Sequence, residues 1–225
     1  IIQDGKNIEA LKVFEDGKSM LDSMIEMHSL TINGVYGFFK ARSNNEKVEL
    51  LDHDLVFSFP RQLVDKSGPN LCLADFISPR GDDYIGLFAV TSGIGLEKIV
   101  NKYEKDLDDY SSIMVKVIAD RLAEAATEWL HEKIRKEDWG YSDSENLNND
   151  ELIKEKYIGI RPAPGYASCP DHSEKDKIWN LLDVKNNAGI SLTESRAMDP
   201  ASSVCGWYFS HPESRYFSVL KNYDA

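Results

Sequence analysis

The chain has 225 residues, 42% of them hydrophobic, and its ten tyrosines, nine phenylalanines and four tryptophans are spread along it, which fits one sizeable core and excludes a disordered chain. No apolar run approaches the roughly 20 residues of a membrane span, and a net charge of −12 disfavours a nucleic-acid partner, whose phosphates need a basic face. Three widely spaced cysteines, Cys72, Cys169 and Cys205, include no CxxC pair; they argue against a disulfide framework or a structural zinc site and fit a reducing cytoplasm.

From Ile8 to Met27, apolar residues at Ala10, Val13, Phe14, Met20, Leu21, Met24 and Ile25 alternate with charges at helical spacing, with Asn7 as the expected cap. The opening therefore reads as an amphipathic helix and not as a secretory leader. Short strand-like runs follow in "GVYGFF", "KVELL", "LVFSFP" and "YIGLFAV". The clearest helix is "YSSIMVKVIADRLAEAATEWLHEKIRK", where Met114, Ile118, Leu122, Ala126, Leu130 and Ile134 recur every four residues and Val117, Ala125 and Trp129 widen the stripe. A polar loop then runs into a short helix within "WGYSDSENLNNDELIKEKY", and a further short helix is expected from Ile178 to Val184. The end, "VCGWYFSHPESRYFSVLK", reads as two aromatic strands joined by a hairpin connection at His211 to Ser214. Helices mixed with hairpin-like strands predict an α+β fold.

Few residues carry obvious chemistry. Gly93-Ile94-Gly95 sits between a strand and a helix as a nucleotide loop would. Lys98 stands where a third glycine belongs, and no βαβ series surrounds it, so a tight turn is the expected role. Cys169, Asp171, His172 and Glu174 lie within six residues, but their spacing matches no familiar zinc pattern and rarely gives a nucleophilic pair. Glu124 falls well round the helix from the apolar stripe, which predicts a solvated carboxylate. The small residues beside it, Ala123 and Ala125, leave room for an approaching group. Arg161 opens "RPAPGY", whose two prolines favour an extended backbone without internal hydrogen bonds. Gly165 allows close approach, Tyr166 offers a flat wall, and a guanidinium there suits a bidentate grip on a carboxylate. A rigid surface loop with Arg161 in an ordinary salt bridge accounts for the same residues equally well.

The text "IRPAPGYASCPDHSEK" resembles the signature of the C-terminal activation domain of cobalamin-dependent methionine synthase. So, in the same order, do "NLCLADFISP", "DYIGLFAVTSG", "DDYSSIMVKVIADRLAEAATEWLHEKIRKEDWGY", "LTES" and "VCGWYFSHPESRYF". The resemblance covers nearly the whole chain and implies one activation domain over 1–225, a bent, mostly antiparallel sheet flanked by helices that binds S-adenosylmethionine without a Rossmann fold. It implies a reactivation module that faces a cobalamin-binding module and takes an electron from flavodoxin or a flavin reductase. By motif match it places Arg161 on the ligand carboxylate, Tyr216 and Phe217 along the site, and Glu124 and Glu155 near the sulfonium or ammonium, where a carboxylate is the complement. It also implies an aspartate-bearing strand ahead of this chain and a further helix after Leu220, which this chain lacks. The histidines, at 28, 53, 131, 172 and 211, form no Asp-x-His-x-x-Gly cobalamin signature, so cobalamin belongs to another module. Lys133, Arg135 and Lys136 are the expected basic docking patch for an acidic electron donor. A stand-alone protein that only senses S-adenosylmethionine is the alternative.

Overall fold

The computed structural model describes residues 8–27, 29–63 and 67–219; the expected cap at Asn7 lies outside them. Helix α1 (Ile8–Glu26) leads into a long strand β1 (Thr31–Asn44). β1 hairpins through Asn45, left-handed at φ 56°, into β2 (Lys47–Leu50), which is followed by β3 (Val56–Ser58). After a 3-10 turn at Leu73–Phe76 come β4 (Asp83–Ile94), α2 (Leu96–Lys105) and α3 (Asp109–Lys133). The chain ends with α4 (Asn149–Ile153), α5 (Glu174–Leu182), α6 (Val184–Ala188), the ribbon β5 (Ser191–Leu192) and β6 (Met198–Asp199), and β7 (Ser203–Tyr208). Five strands make one sheet in the order β3-β2-β1-β4-β7, every pair antiparallel. The class is α+β, as the order of elements predicts.

β4 lies between β1 and β7 and is buried on both faces, so it reads as a nearly continuous apolar run. Ile85, Leu87 and Ala89 point into the larger core with Phe57, Phe59, Trp207 and Phe209, which α5 and α6 cover. Phe88 and Val90 point the other way, onto Leu130 of α3 and Ile134 just beyond its end, with Tyr208 beside them. α1 and α2 pack on the first half of α3 through Met24, Val100, Val115 and Ile118. Among the described residues no helix is long and apolar enough to cross a membrane.

Two expectations fail for physical reasons. The long helix does not run evenly through Lys136: α3 ends at Lys133 and a π turn, Ile134–Asp138, follows. The wider turn lets the amides of Trp139 and Gly140 share the Ile134 carbonyl at 3.0 and 3.2 Å. It also lays Trp139 against Phe38, ring centroids 4.9 Å apart. Nor does the chain end in a hairpin, since no strand follows β7 among the described residues. Its outer edge is already occupied. Phe209 and Ile160 exchange both backbone hydrogen bonds at 3.0 Å, and the Trp207 amide donates to the Pro162 carbonyl at 3.0 Å. The segment after His211 therefore crosses back as an irregular strap, tied by the Val219 amide to the Ala167 carbonyl at 2.9 Å.

Candidate functional site

The strip Ile160–Pro162 is an added edge beside β7, and Gly206 makes that possible. A Cβ at Gly206 would lie 2.4 Å from the Pro162 carbonyl oxygen, so any other residue would lever the strip away. Beyond Pro162 the chain leaves the sheet and turns at Gly165, whose φ of 91° suits glycine and whose Cα abuts the His172 ring. The turn closes with the Gly165 amide donating to the Cys169 carbonyl at 2.7 Å.

Strip, turn, strap and α3 enclose an open cleft of about 370 Å³. Arg161, Tyr166, Tyr216, Phe217 and Glu124 border it together, with Thr127 and Val204 behind. Glu124 stands on the rim, largely exposed and paired with Arg121 at 3.0 Å, so it is both solvated and part of the cleft. Tyr216 accepts a hydrogen bond from the Arg161 amide at 3.0 Å and so ties the strap to the strip. Phe217 packs back toward the larger core, 6.3 Å from Phe76. Gly165 shapes the turn and is not part of the lining. Glu155 is not brought into the cleft: it occupies an exposed left-handed turn after α4, at φ 53°.

Behind the cleft lies a buried polar layer that the sequence reading missed. Arg161 donates from Nη2 to Glu128 Oε2 at 2.7 Å and from Nη1 to His131 Nδ1 at 3.3 Å. Because a guanidinium only donates, Nδ1 must be bare and His131 neutral. Burial, and then the Arg135 and Arg161 guanidiniums, hold its pKa well below the ordinary 6.5. Its Nε2 faces the Tyr141 hydroxyl at 3.5 Å, and its ring stacks on Tyr208 at 5.1 Å. Arg135, fully buried, pairs in a fork with Glu145 at 2.8 and 2.6 Å and lies over the Tyr157 ring at 4.4 Å. Burial raises the Tyr141, Tyr157 and Tyr208 hydroxyls above their usual range, so all three stay protonated. The available signal was spacing: Glu124, Glu128, His131 and Arg135 follow one another at four-, three- and four-residue steps, a polar line beside the apolar stripe.

The expected docking patch is corrected by these contacts. Lys133 pairs with Asp138 at 2.6 Å, Lys136 with Glu132 at 3.3 Å, and Arg135 is inside the protein. Each cation has its own carboxylate, so no basic surface results. The other groups near the strip also have separate partners. Asp171 accepts from the Ser173 amide at 2.7 Å, Glu174 holds Lys177 at 2.7 and 2.8 Å, and burial pushes the Cys169 thiol up to about 12. All three cysteines are free and buried. Among the described residues no group of three His, Cys, Asp or Glu side chains is placed to hold a metal ion. Gly95 opens α2 at φ 90° and Gly93 lies against Pro200, so both serve the turn. A wider groove of about 600 Å³ lies between α1 and α2, but its buried lining is only Met24 and its charges stay at the rim. The smaller cleft has the converging chemistry.

A held guanidinium, aromatic walls and a rim carboxylate on an antiparallel α+β sheet make a binding module suited to a small zwitterion with a flat apolar part. Residues 1–224 match the family described as vitamin B12 dependent methionine synthase, activation domain, and the chain belongs to that family. It is also similar to a solved structure described as the MetH reactivation domain bound to AdoHcy. The identity is 47% and the TM-score 0.91, over 95% of this chain and 69% of that one.

Proposed function

We propose that this chain is a reactivation module of cobalamin-dependent methionine synthase, with S-adenosylmethionine bound in the cleft between Arg161, Tyr166, Tyr216, Phe217 and Glu124. The observation that carries this reading is Arg161 itself. Its guanidinium is fixed at the cleft by Glu128 and His131, yet two contacts leave most of its five N–H donors for a ligand carboxylate. Tyr166 and Tyr216 offer flat surface to the adenosyl part, and Glu124 places negative charge at the rim, where a sulfonium or ammonium is favoured. Glu155 serves the same cation only if its turn after α4 approaches the bound ligand. S-adenosylmethionine supplies a sulfonium-activated methyl group, and the chain's own part is to bind it, orient it and present it to cobalamin held by a neighbouring module of the same enzyme. The electron comes from flavodoxin or a flavin reductase, in the cytoplasm, where the buried free thiols remain reduced.

Calorimetry with Arg161→Ala tests the assignment. Affinity for S-adenosylmethionine should drop by roughly 2–3 kcal/mol, the size of a lost charge-assisted pair. Equal affinity in the two proteins would sink it.

A further inference from the structure

The buried layer behind Arg161 goes beyond a salt bridge. Glu128 does not line the cleft, and neither does His131, yet they take one donor each from the two Nη atoms of the same guanidinium. His131 is itself immobile: its ring lies between Tyr208, stacked at 5.1 Å, and Tyr157, edge-on at 5.0 Å, with Tyr141 at its far nitrogen. A flexible arginine has several rotamers to choose from, and two partners fixed on α3 select one.

We propose that Glu128 and His131 are positioning residues that hold the Arg161 guanidinium in the orientation that receives the ligand carboxylate, without touching the ligand themselves. This rests on the reading of Arg161 as the carboxylate clamp. Glu128 supplies charge and His131 a bare ring nitrogen, so the guanidinium meets an anion at one Nη and a neutral acceptor at the other, and three of its five N–H donors are left over. A second carboxylate at the histidine position would neutralise the arginine further and weaken its pull on the ligand. A lysine at 161 could not satisfy both partners and still present a planar pair of donors.

Decarboxylated S-adenosylmethionine separates positioning from general damage, because it keeps the sulfonium and ammonium and lacks only the carboxylate. Both ligands are titrated into the 225-residue chain and its Glu128→Gln variant, with melting temperatures measured alongside. Wild type should prefer S-adenosylmethionine. Glu128→Gln should lose roughly tenfold for that ligand and nothing for the decarboxylated one, so that the preference collapses. His131→Ala should do the same, and His131→Asn, which restores an acceptor near Nδ1, should recover part of it. If Glu128→Gln fails to fold, Glu128→Asp, which withdraws the charge by one methylene, carries the same comparison. Retention of the full preference by the glutamate variant overturns the proposal. So does an equal loss for both ligands, which would mean a structural role only. A wild type without any preference overturns the clamp reading of Arg161, and that result is visible before any Glu128 variant is made.

Discussion

At the scale of single residues, His131 makes stability depend on pH. Its folded-state pKa is depressed well below 6.5, chiefly by burial. In the unfolded chain the same ring takes up a proton near pH 6.5, so below that value the unfolded state binds more protons than the folded one. Stability is therefore complete above about pH 6.5 and falls as pH drops toward the depressed value, by up to about 1.4 kcal/mol per pH unit from this group. Urea midpoints at pH about 7.5 and about 5.5 should separate less in His131→Gln than in wild type. Tyr216 and Phe217 differ although they are neighbours. Tyr216 is tied to the Arg161 amide, whereas Phe217 packs on the larger core. Tyr216→Ala should chiefly weaken S-adenosylmethionine binding, and Phe217→Ala should chiefly lower the melting temperature, by about 1–3 kcal/mol of stability. Parallel binding and melting curves that move alike in both variants would contradict the division.

At the scale of elements, the π turn after α3 and the loop before α4 are locked together by Arg135 and Glu145, an ion pair with side-chain exposures of 0% and 5%. Removing one partner leaves the other charge buried and unpaired. Arg135→Ala should cost about 3–5 kcal/mol of stability, and Glu145→Ala a similar amount. Chemical denaturation of both single variants and the double variant checks this, since the double should be less destabilised than the sum. Charge reversal at Arg135 is therefore no probe of an electron donor, because it strikes the fold first. The outer edge of β7 was not legible from the aromatic alternation of "GWYFSHPESRYF": alternation marks a strand-capable segment but not which partner reaches the edge first. Ile160 and Pro162, which precede their partners Phe209 and Trp207 by 49 and 45 residues, take that edge.

At the scale of the whole molecule, this chain contains the cleft proposed for the methyl donor and none of the cobalamin signature. Methyl transfer needs donor and acceptor held in near-attack geometry, a positioning effect worth several kcal/mol. The isolated chain should therefore bind S-adenosylmethionine but methylate free, reduced cobalamin slowly or not at all. Adding a cobalamin-loaded neighbouring module should restore turnover. Efficient methylation of free cobalamin by this chain alone would show the module reading to be wrong. With −12 overall and Lys133 and Lys136 already paired, any acidic donor would meet repulsion, so its association should quicken with added salt.

The sequence by itself determined the α+β class, the span of the long helix as far as Lys133, and the unusual character of Arg161 to Gly165. Apolar periodicity and proline stiffness are local properties that survive in a linear string. The family was legible too, through the order of its motifs. Glu124's place at the cleft came only with the fold: the helical period makes it a solvated carboxylate, and tertiary structure sets that solvated face at the edge of the cleft. The same holds for Glu128, His131 and Arg135, ordinary polar residues in sequence: His131 and Arg135 are buried against the Tyr157 and Tyr208 rings, and Glu128, half-buried, is drawn onto Arg161. The expected basic patch dissolved for a matching reason. Which carboxylate sits beside which cation depends on contacts such as Arg135 with Glu145, and pairing of that kind is decided by the close packing of a turn on a loop rather than by the spacing of charges along the chain.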